Sequence, residues 1–193
     1  MDRQRLMPTL KLAGLLLVLQ AGAILAWFVV DERRGVVPGV SLEYERIEGR
    51  AASDLELERA DGSFLRLSDL RGRWVLLHFW ATWCPPCREE LPALLDLGRQ
   101  LGEEDGLVLL AVAVKEPWDA VRHFFDGTPP SEIVRDRAGD GHTGYGVSTL
   151  PDTYLVSPEG RIELRFAGAR DWRSTAARAL LQKEMSRSAR TGP

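Results

Sequence analysis

The sequence predicts an α/β fold, in which a mixed central sheet is flanked by helices, carries an added N-terminal β-hairpin and is preceded by one transmembrane helix. Three observations lead to this prediction. A long apolar segment lies near the N-terminus, two short apolar runs enclose an amphipathic stretch, and alternating segments around tight turns lie on both sides of these runs. A strand, a crossover helix and a second strand form a βαβ unit, which we place at the centre of the sheet.

The N-terminal apolar segment, Leu12 to Val30, contains nineteen residues, and Gln20 is its only markedly polar side chain. As a helix it would extend about 28 Å, close to the ~30 Å thickness of a bilayer's hydrocarbon core. A cleaved signal peptide is the alternative, with small residues at 21–23, but cleavage there would leave the apolar terminus ILAWFVV. We therefore interpret residues 12–30 as an uncleaved transmembrane anchor that follows a cytoplasmic tail, residues 1–11, with three basic side chains.

Residues 31–50 mix glycine, proline and charged residues without a sustained period, which is typical of a linker. We expect the folded domain at 51–186 and a polar tail at 187–193. Residues 1–30 hold three of the 25 basic and one of the 28 acidic residues, so the remainder carries a net charge of −5. That balance does not favour a nucleic-acid-binding surface.

The elements of the domain follow in order. Alternating residues on both sides of Asp61-Gly62 predict a β-hairpin at 55–58 and 64–67, followed by a short helical turn at 68–70. The unbroken apolar runs 74–80 and 107–114 are typical of strands covered on both faces. The remaining predictions are helices at 87–101 and 118–125, a hairpin of 153–156 with 161–166, and an amphipathic helix at 172–186.

The chain has only two cysteines, Cys84 and Cys87, in the segment HFWATWCPPCREELP (78–92). A disulfide across so short a loop would restrain little of the unfolded chain, and a closed zinc site would need four ligands where the chain adds only three separated histidines. At the junction of a strand and a helix, backbone N–H groups and the helix dipole would lower the pKa of Cys84 below the usual value of about 8.5. A C-x-x-C in this βαβ context predicts a redox site, with Cys84 attacking and Cys87 resolving.

The segment WATWCPPCREELP resembles the active-site segment of the thioredoxin superfamily, most closely the membrane-anchored thiol–disulfide reductases of the TlpA/ResA/DsbE (CcmG) type. The resemblance covers about residues 51 to 183 and includes four further segments: LSDLRG (67–72), YGV (145–147), LPDT (150–153) and FAGARDW (166–172). It implies a thioredoxin-like fold, a redox-active disulfide between Cys84 and Cys87, and a cis peptide bond before Pro151. It also implies a kink in the active-site helix at Pro92.

The same resemblance assigns roles to further residues. A group of them would bind the substrate peptide beside Cys84: Trp83, Pro85, Leu150 and the cis-proline Pro151. Glu90 would accept the proton of Cys87, since residues three apart share a helical face. The alternative for Glu90 is a solvent-facing helix acid, as we expect for Glu89.

His78 departs from the family pattern, because thioredoxin has a buried aspartate at this position and many relatives have an asparagine. Two interpretations stay open. His78 is a hydrogen-bonded core residue, or it tunes the thiol pKa of Cys87 as a proton acceptor or a cation. We interpret His123 and His142 as structural or solvent-exposed.

The resemblance implies a thiol–disulfide oxidoreductase, a reductase of protein disulfides. The expected substrates are apocytochrome c, in cytochrome c biogenesis, or the dithiol of a copper-site protein. Asp152 resembles an acidic residue of the cytochrome-maturation members. A transmembrane electron donor of the DsbD/CcdA type would re-reduce the cysteines. We expect no cofactor, no metal and no nucleic acid.

The implied location is the inner (cytoplasmic) membrane, with a single span and the catalytic domain on the periplasmic side. Two alternative functions remain. A copper-binding metallochaperone of thioredoxin-like fold is disfavoured by the spacing of the cysteines, since such relatives usually place three residues between them. A peroxiredoxin-like peroxidase is disfavoured because no Pro-x-x-x-Thr-x-x-Cys frame precedes Cys84.

Overall fold

The computed structural model describes residues 42–47, 49–136, 139 and 141–188. Within them, eight strands form one mixed sheet and four helical segments cover it. The strands are β1 Glu45–Arg46, β2 Glu56–Arg59, β3 Phe64–Arg66, β4 Val75–Trp80, β5 Val108–Ala113, β6 Ile133–Asp136, β7 Asp152–Val156 and β8 Ile162–Ala167. The helices are α1 Pro85–Asp105, α2 Trp118–Phe124, α3 Gly141–Gly144 and α4 Thr175–Ser188, and a 3₁₀ turn covers Leu67–Leu70.

The strand order across the sheet is β1-β8-β7-β4-β5-β6-β2-β3. β4 pairs in parallel with β5 and antiparallel with β7, so its backbone groups are hydrogen-bonded on both sides. β4, α1 and β5 form the predicted βαβ unit, and β2 and β3 form the predicted N-terminal hairpin. The α/β class with a mixed, helix-flanked sheet is therefore confirmed.

The two faces of β4 bury different side chains, because successive residues of a strand point to opposite sides of the sheet. Leu76 and Trp80 join the core that contains α1, α2 and α4, whereas Leu77 and Phe79 join the core on the opposite face. His78 therefore points toward α1, between Leu76 and Trp80. This alternation decides which helix His78 can contact.

Helix α1 is longer than the predicted 87–101. Its first residues are prolines, which need no N–H partner in the first helical turn. Its C-cap residue, Gly106, has the left-handed φ of 72° that commonly ends a helix. Gly98 lets the helix lie close to β5, since an added Cβ would come within 2.5 Å of the Leu109 side chain.

Two other elements differ from the predictions. β1 lies inside the predicted linker, where it pairs with β8, and Arg46 binds the buried Glu184 of α4 at 2.7 and 3.0 Å. The folded domain therefore extends to the N-terminal side of residue 51. Helix α4 begins at Thr175 rather than at 172, because the Ser174 hydroxyl caps it by accepting the Ala177 N–H at 3.2 Å.

β6 and α3 were not predicted, because each has four residues and so shows no clear period. The predicted anchor (12–30), its preceding tail and most of the linker lie outside the described residues. So does the end of the predicted polar tail, residues 189–193. Among the helices that are described, none is long and apolar enough to cross a membrane.

Candidate active site

The two cysteines lie just after β4, at the start of α1. Cys84 is the N-cap of α1, with extended backbone angles of −92° and 104°, and its sulfur accepts the N–H of Cys87 at 3.4 Å. Pro85 and Pro86 fill the first two helical positions. The sulfur of Cys84 thus lies at the N-terminal, positive end of the helix dipole, which stabilises a thiolate.

Cys84 and Cys87 form a disulfide, so the structure represents the oxidised form. Cys84 is 4% exposed and Cys87 is completely buried. Of the two residues, only Cys84 keeps any exposed surface, which favours its sulfur over that of Cys87 as the one that meets a substrate. The order of attack stays a prediction.

A groove of about 460 Å³ lies next to the start of the cysteine motif, since its lining includes Trp83, the residue that precedes Cys84. Trp83, which is 67% exposed, and Leu150 both line this groove. The Leu150–Pro151 peptide bond is cis in the structure. The residues lining the groove are Trp83, Val114, Lys115, His142, Val147, Ser148, Thr149 and Leu150. Of the four predicted substrate-binding residues, Trp83 and Leu150 line this groove, while Pro151 is buried and Pro85 is exposed on the helix side.

Two groove residues were not predicted. His142 was interpreted as structural or exposed, but it is half-buried and lines the groove. Lys115 is exposed and has a φ of 54°, a left-handed conformation that is uncommon for a residue with a side chain. The sequence holds no local signal for either residue, because the chain turns that bring them to the groove are tertiary features. His123, by contrast, is exposed on α2, as expected.

Hydrogen bonds to neighbouring residues hold the segment that carries the cis bond in place. The Gly168 N–H binds the Pro151 carbonyl at 2.9 Å, and the Asp152 carboxylate is buried against Arg165 at 2.8 Å and the Tyr154 hydroxyl at 2.9 Å. Asp152 is 1% exposed, so its carboxylate holds the strand in place and does not line the groove.

A buried carboxylate also braces the turn before the cysteines. Glu116, 8% exposed, accepts hydrogen bonds from both the backbone N–H (2.8 Å) and the hydroxyl of Thr82. Glu116 follows β5 and Thr82 follows β4, so this contact ties together the carboxyl ends of two adjacent parallel strands. Glu116 has no local signal in the sequence, since only the parallel pairing of these strands brings it to Thr82.

Glu90 lies on the buried face of α1, one turn after Cys87, whereas Glu89 is exposed. Its Oε2 atom accepts the Arg170 N–H at 2.6 Å and the Trp172 indole N–H at 3.1 Å. Burial raises the pKa of Glu90 to about 7, although these two hydrogen bonds act in the opposite direction. The solvent-facing alternative for Glu90 is therefore wrong, and its carboxyl group can exchange a proton near neutral pH.

His78 is completely buried beside Glu90. Its Nδ1 atom lies 2.8 Å from the Thr153 hydroxyl, directly across the β4–β7 pairing, and its Nε2 atom lies 3.7 Å from Oε1 of Glu90. Burial lowers the pKa of His78 to about 3, so the imidazole is neutral near pH 7. The interpretation of His78 as a cation is therefore wrong, and its close neighbour is a carboxyl group.

The partners of Glu90 and His78 were missed in the sequence. Trp172 and Arg170 lie in the segment FAGARDW and Thr153 in LPDT, which the family resemblance includes without giving them a role. The sheet register, which sets Thr153 opposite His78, and the loop after β8 bring them to the site. No cluster of three or more His, Cys, Asp or Glu side chains within the described part of the chain could hold a metal ion.

Comparison with known proteins agrees with this geometry. Residues 49–165 match the AhpC/TSA family. The chain is 38% identical over 128 residues to the thiol-disulfide oxidoreductase ResA of Oceanobacillus iheyensis, a match that covers 63% of this chain and 65% of that protein. The chain thus spans just under two thirds of the length of this relative.

Two other proteins are matched over more of their length. The thioredoxin-like protein YneN of Bacillus subtilis is 33% identical over 156 residues, which cover 79% of this chain and 86% of YneN. A crystal structure from Chlorobium tepidum, described as a thiol:disulfide interchange protein DsbE, superposes with a TM-score of 0.61 at 27% identity and covers 73% of this chain and 96% of its own. The chain therefore belongs to the AhpC/TSA family and, within the thioredoxin superfamily, is of the TlpA/ResA/DsbE type.

Proposed function

We propose that the chain is a membrane-tethered thiol–disulfide oxidoreductase that reduces disulfides of other proteins on the periplasmic side of the inner membrane. The observation that carries the proposal is the Cys84–Cys87 disulfide at the N-terminus of α1, next to a groove with a cis X-Pro bond. A disulfide across so short a loop contributes little stability, whereas a pair at a helix N-terminus is well placed for redox exchange. The name of the ResA relative, a thiol-disulfide oxidoreductase, supports the same activity.

In the first step, the Cys84 thiolate attacks one sulfur of a substrate disulfide held in the groove. A Cys84–substrate bond forms, the substrate disulfide breaks, and the other substrate sulfur leaves as a thiolate. The apolar side chains of Trp83 and Leu150 bind the substrate peptide beside Cys84. The backbone of Leu150, turned by the cis bond, offers hydrogen bonds to an extended chain.

In the second step, Cys87 transfers its proton to the Glu90 carboxylate and attacks Cys84. The mixed disulfide breaks, the second substrate thiolate leaves, and the chain ends with the Cys84–Cys87 disulfide. Two electrons have then passed from the chain to the substrate. A carboxyl group with a pKa of about 7 suits this role, because a general base works best when its pKa lies near the operating pH.

The proposal includes partners and a location. The oxidised pair is re-reduced by a transmembrane dithiol donor of the DsbD/CcdA type. The substrates are apocytochrome c or the dithiol of a copper-site protein. Residues 12–30 anchor the domain to the membrane, because their length and apolar composition suit a bilayer span.

Trapping tests the activity and identifies the substrate in one experiment. Cys87→Ser leaves the attacking thiol but removes the resolving one, so the mixed disulfide accumulates and mass spectrometry of the captured protein names the substrate. Cys84→Ser is the matched control and captures nothing. Wild-type protein that fails to reduce insulin disulfides, together with a Cys87→Ser variant that captures no protein, would overturn the proposal.

The direction of electron flow is tested by the reduction potential. We expect a value nearer the roughly −270 mV of thioredoxin than the roughly −120 mV of a strong periplasmic oxidant. Titration against a dithiothreitol series measures it, and a value near the oxidant would contradict the reductase direction. Cu(I) titration and a peroxide-consumption assay address the two alternatives: a tight one-to-one copper complex without turnover favours the metallochaperone, and rapid peroxide turnover favours the peroxidase.

A further inference from the structure

Two buried polar atoms beside the resolving cysteine face each other without any hydrogen bond. They are Nε2 of His78 and Oε1 of Glu90, and they lie 3.7 Å apart. A buried polar atom that lacks a hydrogen bond is destabilising, because it has lost its hydrogen bonds to water and gained none in return. A pair of such atoms on two buried side chains therefore calls for a physical explanation.

Both side chains are fixed at their opposite ends. Nδ1 of His78 lies 2.8 Å from the Thr153 hydroxyl, and Oε2 of Glu90 accepts the N–H groups of Arg170 and Trp172. A neutral imidazole has one N–H and one acceptor nitrogen. If Nδ1–H donates to Thr153, Nε2 is an acceptor, and it then faces a second acceptor whenever Glu90 is ionised.

We propose that Nε2 of His78 and Oε1 of Glu90 form a slot for one proton, and that this slot holds the proton that Cys87 releases. Two acceptors with no proton between them repel each other, and the 3.7 Å gap is longer than a hydrogen bond. Arrival of a proton converts the contact into an Oε1–H···Nε2 hydrogen bond. His78 is thus a positioning residue, which acts on the cysteines through Glu90.

This inference deepens the proposed function and rests on it. The step balances: Cys87 loses a proton and becomes a thiolate, Glu90 gains that proton, and His78 accepts a hydrogen bond without changing its own protonation. The low pKa of His78 and the raised pKa of Glu90 agree with a proton that lies on the carboxyl side of the slot.

Few other charged groups face the slot. Arg170 is the cation that acts on Glu90, and its guanidinium points to the surface, where it binds the carbonyls of Glu43 and Ala169 at 2.8 Å. Its effect is to lower the pKa of Glu90, opposite to the effect of burial. From β7 the slot meets the Thr153 hydroxyl, and on α1 Glu90 lies one turn after Cys87.

Thr153 provides a matched pair of variants that leaves both members of the slot in place. Thr153→Val removes the acceptor of the Nδ1–H group. The imidazole proton then moves to Nε2, and the Nε2–H group donates a permanent hydrogen bond to Glu90. Thr153→Ser keeps the hydroxyl. His78→Asn places an amide at this position, and its N–H₂ group can donate to Glu90 in the same way.

The test uses NMR of the oxidised protein, so it does not depend on turnover. We expect ¹⁵N spectra of wild type to show His78 as the Nδ1–H tautomer. In Thr153→Val and His78→Asn, ¹³C titration should show that the proton affinity of Glu90 falls about tenfold, because the ionised carboxylate gains one hydrogen bond. Thr153→Ser should match wild type. An Nε2–H tautomer in wild type, or an unchanged Glu90 titration in both variants, would overturn the slot.

The same variants separate this inference from the proposed function. A reductase assay that detects no turnover, combined with the expected NMR result, would overturn the function and leave the proton slot as a property of the buried pair. If turnover continues and the Glu90 titration is unchanged in both Thr153→Val and His78→Asn, the slot alone is overturned. In an active protein that keeps Cys87, His78→Asn should slow resolution of the mixed disulfide above pH 7, because Glu90 becomes a weaker base.

Discussion

Cys84 and Cys87 share one bond, yet the regions around them differ in kind. On the Cys84 side lie an exposed tryptophan and an open groove, with a charged lysine and a half-buried histidine in its lining. On the Cys87 side lie His78 and Glu90, both almost fully enclosed, with fixed backbone and indole N–H groups. The outer region can select a partner, and the inner region can control a proton.

The difference follows from the dielectric environment of each region. In the groove, water screens charges, so a lysine or a histidine there affects the rate and affinity of partner binding more than it affects the pKa of the cysteines. Inside, burial alone moves the pKa values of Glu90 and His78 toward each other's usual range, up for the acid and down for the base. Substitutions in the two regions should therefore be separable by what they change.

The largest effect should come from exchanging the cysteines one at a time. Cys84→Ser should abolish thiol–disulfide exchange, because the remaining Cys87 is completely buried and cannot meet a substrate. Cys87→Ser should still form mixed disulfides. Alkylation of the reduced variants by iodoacetamide measures the contrast, and rapid alkylation of the lone Cys87 in Cys84→Ser would remove the distinction between the outer and inner sulfur.

The next effect concerns stability against pH. The Glu90 pKa rises from 4.5 to about 7 on folding, so Glu90 makes the folded state less stable as pH rises through this window. The His78 pKa falls from 6.5 to about 3 on folding, so His78 makes the folded state more stable as pH rises from about 3 to 6.5. The two effects oppose each other between pH 4.5 and 6.5. The stability of wild type should therefore change little in this range, whereas the stability of Glu90→Gln should rise by about 2 kcal/mol from pH 4.5 to 6.5.

Urea unfolding of the oxidised domain at a series of pH values measures this gain. Glu89→Gln is the matched control, since it is the neighbouring but exposed glutamate, and its curve should follow wild type. A Glu90→Gln curve as flat as wild type would show that the two buried groups do not titrate as described.

A smaller, pH-selective effect is expected for Trp172→Phe. The substitution removes the indole N–H that binds Oε2 of Glu90 and keeps most of the apolar ring volume. Hydrogen bonds to charged groups contribute about 1.5–3 kcal/mol, so the loss should appear mainly above pH 7, where Glu90 is ionised, and the pKa of Glu90 should rise. Equal destabilisation at pH 5 and pH 8 would indicate a packing effect instead.

The smallest effect should come from the outer region. Glu116→Gln weakens the hydrogen bonds to Thr82 that brace the turn before Cys84. We expect a stability loss of about 1 kcal/mol and faster hydrogen exchange of the Thr82 amide, with the Glu90 titration unchanged. A shift of the Glu90 titration in this variant would show that the two regions are coupled.

Much of the fold could be predicted from the sequence because local patterns report it. The apolar runs that became β4 and β5, the amphipathic stretch that became α1 and the Asp61-Gly62 turn each carry their own signal. β6, α3 and β1 carry none of comparable length, since each spans four residues or fewer. Their structure depends on neighbours that the chain supplies from far away.

The same division applies to the site. The sequence by itself determined the cysteine pair, its position at the start of a helix and the presence of Glu90 one turn later, because these features lie within a few residues of each other. Only the tertiary structure decided that His78 is neutral and faces Glu90, and that Thr153, Arg170 and Trp172 complete the inner region. The physical reason is that a pKa and a hydrogen-bond partner are set by burial and by contacts across the sheet, and these contacts join residues up to 82 positions apart.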